Sequence, residues 1–142
     1  MRKLPTLIVL FALIVTCSFS CSKNQYMGYM NATVNGSSWN TGEVIATKTT
    51  EGLTIQGTLT GTMSNIAVSL PRNYSTGTYT IDSSNLNAHG SYVAHSYDNT
   101  ILLARSGTVT VKSLSPYVEG TFSFVCTDST KIENGSFSVK AP

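Results

Sequence analysis

Beyond residue 27 the chain alternates apolar and polar positions with a period of two, the pattern of strands with one face buried. Leu53 and Ile55 fall on one face and Thr54 and Gln56 on the other. Ile66, Val68 and Leu70 alternate with Asn65, Ala67 and Ser69. Val109 and Val111 alternate with Thr108 and Thr110, and Phe122, Phe124 and Cys126 chiefly with Ser123. No window of equal strength repeats at helical spacing. The pattern predicts roughly nine or ten short strands between Met30 and Lys140, joined by turns of about two to five residues. That is an all-β fold, either an antiparallel β-sandwich or a flattened β-barrel.

A local theme of glycine followed by alternating hydroxyl and apolar residues recurs after Gly77, Gly107, Gly120 and Gly135, and in part after Gly57. The intervals between these glycines are 20, 30, 13 and 15 residues. Such irregularity excludes a solenoid or propeller, whose units stack only at constant period. The theme predicts a strand-entry device, in which glycine turns the chain and the hydroxyls then face water.

The first 20 residues form a different unit. Arg2 and Lys3 precede the apolar run 7–15 (LIVLFALIV), the layout of a secretory signal. A spanning helix needs about 20 apolar residues, so this run is a targeting segment and not a permanent anchor. Cys21, preceded by the small Ser20, resembles the lipobox cysteine of bacterial lipoproteins, which is acylated after cleavage just before it. Phe19 departs from the usual small residue at the second position before the cysteine, and Cys17 is the alternative, with Thr16 a poor lead-in. The expected organisation is a signal peptide over 1–20, a lipidated tether over 21–27 and a single β-domain over 28–142.

Removing the signal changes the charge picture. The whole chain carries 9 basic and 7 acidic residues, but without Arg2 and Lys3 seven of each remain. A net charge of zero gives no footprint for nucleic acid, whose phosphates require displaced counterions. Charged residues make up 11% of the chain, under half the ~25% of typical soluble domains, while Ser and Thr number 39. With Cys17 cleaved and Cys21 acylated, Cys126 is left without a disulfide partner, and its register with Phe122 and Phe124 predicts a buried, inert thiol.

Catalytic chemistry finds little material. The two histidines, His89 and His95, have no Gly-x-Ser-x-Gly elbow to serve. Together with Asp98 they fall outside the tight spacing of zinc ligands, and the acids are dispersed singly, without a calcium-loop pattern. No enzyme, metal or cofactor is expected. The weak ligand-binding candidates are Trp39, a stacking platform or a core plug, and the stretch 91–98, where Tyr92, His95 and Tyr97 distribute aromatics over both faces of a possible strand. Asp128, Ser129 and Thr130 match a short O-glycosylation motif of Bacteroidota envelope proteins.

Residues 30–39 (MNATVNGSSW), 77–81 (GTYTI), 106–111 (SGTVTV), 120–124 (GTFSF) and 132–137 (IENGSF) together resemble the uncharacterised β-rich lipoprotein domains of Bacteroidota. The resemblance covers nearly the whole domain and implies an all-β fold in a diderm envelope, without any catalytic residue to transfer. The expected function is a non-catalytic cell-envelope lipoprotein binding a glycan or protein. The alternatives are a structural accessory of an envelope complex and a carrier of a small apolar ligand inside a barrel. Its expected partners are the membrane, through the lipid anchor, and that glycan or envelope protein. No acidic residue stands between Cys21 and Glu43, and Ser22, not Asp, directly follows Cys21; the resemblance to lipoproteins then implies the outer membrane with the domain facing the periplasm.

Overall fold

The structure, a computed structural model, describes residues 28–82, 87–94 and 100–142. The expected signal with Cys17, the expected tether with Cys21, and the candidates His95, Tyr97 and Asp98 lie outside the described residues. Ten strands follow one another: β1 (Gly28–Val34), β2 (Ser37–Thr41), β3 (Val44–Thr49), β4 (Gly52–Leu59), β5 (Ser64–Pro71), β6 (Gly77–Ile81), β7 (His89–Val93), β8 (Leu102–Ser113), β9 (Tyr117–Cys126) and β10 (Lys131–Lys140). They form one sheet in the order β2-β1-β10-β9-β8-β7-β5-β4-β3, with β6 also beside β8 and every strand pair antiparallel. The sheet curls into a nearly closed barrel, so of the two expected architectures the barrel is the better description.

The long strand β8 makes this curl possible. Its start pairs with β7 at Leu102 and Leu103, its later part pairs with β6 from Gly107 to Val111, and its other edge follows β9 throughout. A register shift between Ala104 and Ser106 bends it, as bulges do by adding a residue to one strand of a pair. One strand thereby serves both halves of the sheet. Where the barrel comes nearest to closing, the Thr41 hydroxyl donates to the Thr58 carbonyl at 2.6 Å, and the Thr58 amide donates to the Glu43 carbonyl at 2.9 Å.

The alternation read from sequence describes the core. Leu53, Ile55, Ile66, Val68, Leu70, Val109, Val111, Phe122, Phe124 and Cys126 are all buried. Phe122 stacks with Phe124 and with Phe137 at centroid separations of 6.1 and 6.2 Å. The glycine theme, however, is not a strand-entry device. Only Gly77 opens a strand, whereas Gly57, Gly107, Gly120 and Gly135 sit inside β4, β8, β9 and β10. Three of them stand directly opposite a phenylalanine: Gly107 opposite Phe124, Gly120 opposite Phe137, and Gly135 opposite Phe122. A methyl group on Gly135 would lie 2.5 Å from the Phe122 ring, and one on Gly120 would lie 2.6 Å from Phe137. The missing side chains make room for rings lying over the strand.

Candidate functional site

Trp39 lies on the inner face of β2, where it is 5% exposed. Burying an indole leaves its N–H in need of an acceptor. Nε1 donates to the Ser64 hydroxyl of β5 at 2.8 Å, and that hydroxyl is 2.9 Å from the Thr62 hydroxyl. Trp39 is thus a wall and a tie between β2 and β5, and its ring is not an open stacking platform.

Tyr92, on the inner face of β7, lies opposite Ile66 of β5 and Leu102 of β8 and is partly buried. Burial, and secondarily the neighbouring Cys126, pushes its phenol up from the ordinary value. The group therefore stays protonated through neutral pH, an O–H that both donates and accepts. β7 ends at Val93, and Ala94 forms a bend, so within the described residues the possible strand over 91–98 covers Ser91 to Val93.

The fold brings Trp39 and Tyr92 to one place. They line a concavity of about 330 Å³ at one mouth of the barrel, with Val34, Ser37 and Ser38 from the β1–β2 hairpin. Leu59, Thr62 and Ser64 from the β4–β5 connection and Ala94 complete it. Its wall mixes an indole and a phenol with apolar side chains and serine and threonine hydroxyls, and among the described residues no charged side chain lines it. Such a surface suits a neutral ligand with both apolar and hydroxyl faces.

A second concavity, of about 510 Å³, opens on the outer face of β8, β9 and β10. Thr108, Thr110, Thr121, Ser123 and Ser136 line it, with Glu133 and Asn134 at its side. Sequence reading assigned these hydroxyls to water and did not see their alignment. Asn40, Asn31, Ser136, Thr121, Thr110 and Thr78 stand opposite one another in turn, one uncharged polar rung across six strands. Within it the Thr78 and Thr110 hydroxyls are 2.9 Å apart, and Ser136 donates to Asn31 at 2.8 Å. The alignment follows from register, which no single segment encodes.

His89 is exposed at the start of β7 and lines a third concavity with Glu51 and Asn87. Among the described residues no three His, Cys, Asp or Glu side chains converge as a metal site would require. Cys126 is fully buried, and burial pushes its thiol up to about 11, with the Asp128 charge adding to the shift. In the turn after it, Ser129 is exposed while Thr130 is buried against Asp128. The hydrogen bond from the Thr130 backbone, followed by that from its hydroxyl, holds the Asp128 carboxyl below its ordinary value.

No curated protein and no solved structure matches the chain. A family profile does match, across residues 27–139, a span that takes in all ten strands but the last residue of β10. The chain belongs to the family described as Domain of unknown function (DUF6252).

Proposed function

We propose that this is a non-catalytic envelope lipoprotein of the outer membrane, acylated at Cys21, whose barrel mouth binds a neutral glycan in the periplasm. The observation that carries the reading is the position of the mouth relative to the tether. β1 begins at Gly28, directly after the tether, and its seven residues run to Val34 at the mouth. At about 3.3 Å per residue that places the mouth roughly 20 Å from the point of attachment. A chain held by its N-terminus would present Tyr92 and the surrounding hydroxyls, with Trp39 as the wall behind them, away from the bilayer. The packed interior, with Phe122, Phe124, Phe137 and Trp39 in one continuous core, favours this outside site over a ligand carried within.

Calorimetric titration with a panel of neutral oligosaccharides tests the site. Tyr92→Ala should weaken any binding at least tenfold while leaving the fold intact, and Ser38→Trp should block the mouth. Binding that survives both substitutions would sink the assignment. Protease treatment of intact cells tests the location, because digestion of the domain without lysis would place it on the cell exterior. A protein partner is the second reading, favoured by Ile101, the residue before β8, and Leu103 within it, which are 61% and 59% exposed. Leu103→Ser would then reduce recovery of a complex and leave glycan binding unchanged.

A further inference from the structure

The end of the barrel opposite the mouth carries a different surface. On its outer face Tyr29 of β1 stands opposite Ser138 of β10, and Ser138 opposite Glu119 of β9. Tyr117, two residues before Glu119, stands opposite Lys140. Lys112 lies near the end of β8, inside the register shift between Val111, opposite Gly120, and Ser113, opposite Glu119. Tyr29 and Tyr117 are 50% and 37% exposed, and both lysines are exposed. Two tyrosines and two lysines thus share one outward patch whose acid, Glu119, accepts a hydrogen bond from the Ser138 hydroxyl at 3.1 Å.

The chain enters the barrel at this same end. Twenty-seven residues precede Gly28, and Cys21 is seven positions before it. Seven residues span at most about 25 Å even when fully extended. Whatever holds Cys21 therefore lies within about 25 Å of Gly28, the residue that precedes Tyr29 of the patch. Tyrosine rings settle at the headgroup level of a bilayer, where an apolar body and a polar tip are both accommodated, and lysines are drawn to anionic headgroups.

We infer that the face formed by Tyr29, Tyr117, Lys112 and Lys140 rests on the anionic surface of the membrane, so that the barrel stands upright with its mouth outward. The inference rests on the reading of Cys21 as the acylated residue and adds an orientation to it. Lys131, at the start of β10 and hence near the other end, supplies an internal reference.

The experiment uses the full lipidated chain, reconstituted into vesicles of phosphatidylcholine alone or with phosphatidylglycerol. Flotation reports anchoring, and amine-reactive labelling read by mass spectrometry reports which lysines are covered. Lys112 and Lys140 should be protected several-fold more on the anionic vesicles than on the neutral ones, with Lys131 equal on both. High salt should remove the difference, because screening shortens the reach of exposed charges. A Lys112→Glu, Lys140→Glu double variant should still float, yet expose Lys48 and the rest of the chain equally on both vesicle types. Flotation with equal labelling of Lys112, Lys140 and Lys131 in the wild type would overturn the orientation and leave the anchor standing. A chain that never floats would overturn both.

Discussion

At the scale of single residues, the glycines and phenylalanines are the decisive pairs. Phe122 and Phe124 fill the core from β9, and replacing either by Ala should cost about 3–5 kcal/mol, measured by denaturant unfolding. An unchanged midpoint would show that the ring does not pack as described. The glycines fail in two distinct ways. A Cβ on Gly120 would come within 2.3 Å of the Thr110 carbonyl, which belongs to the backbone, so Gly120→Ala should cost about 3 kcal/mol and a smaller residue at Phe137 should not restore it. At Gly135 the nearest atoms all belong to the Phe122 ring. There a second substitution, Phe122→Leu, should recover part of the loss, and additive costs would refute the pairing. The inward face of these strands is legible in the sequence; the partner of each glycine is not, because it lies on another strand.

Cys126 supplies a prediction in pH. Its thiol is raised from an ordinary 9.0 to about 11 by burial. The unfolded chain therefore loses this proton at lower pH than the folded one, and the folded state binds more protons between those values. The associated stability is intact below pH 9 and falls away as pH rises toward 11. Tyr92 shifts in the same direction and adds to the loss at the upper end. Cys126→Ala should flatten the melting temperature between pH 9 and 11, and wild type and variant that decline in parallel would rule the thiol out as the cause.

At the scale of elements, the β1–β2 hairpin shows what local sequence specifies. Asn35 and Gly36 form its two-residue turn with φ of 48° and 85°. Both central positions of such a turn need the left-handed region, which asparagine tolerates and glycine enters freely. The Asn35 side chain also accepts the Lys131 amide at 2.8 Å, and the Asn35 amide donates to the Lys131 carbonyl at 2.9 Å, fastening the turn to β10. No atom outside the turn comes within 4 Å of a Cβ placed on Gly36. The cost of Gly36→Val is thus conformational and should be about 1–2 kcal/mol, with a matching loss of the mouth's binding. A neutral effect on stability would mean that the turn adopts another type. Strands such as β5 and β9 announce themselves by alternation, since each buries every second residue in a continuous core. The short edge strand β2, with sequence SSWNT, buries only Trp39 and offers no such pattern. Its place was fixed by the hairpin and by the barrel, so the concavity it helps to build was legible only as two separate aromatic residues.

At the scale of the whole molecule, the near-closure of the sheet makes the domain one cooperative unit. β8 belongs to both halves, so neither half keeps a complete edge if the other opens. Trp39, the single tryptophan of the chain, reports on the junction between them, because its indole N–H crosses from β2 to Ser64 on β5. Were the two halves independent, the β1–β2 hairpin would detach first, since β2 is an edge strand paired only with β1. The tie to Ser64 and the contact between Thr41 and Thr58 oppose that by joining β2 to the far half. Far-ultraviolet circular dichroism and Trp39 fluorescence should therefore lose signal at the same denaturant concentration, the behaviour of a two-state domain. Ser64→Ala leaves the buried indole without its acceptor, which costs about 1–3 kcal/mol. That variant should shift both transitions together to lower denaturant. If fluorescence changes well before the sheet signal in the wild type, the mouth opens on its own, and the barrel is a stable half with a detachable wall.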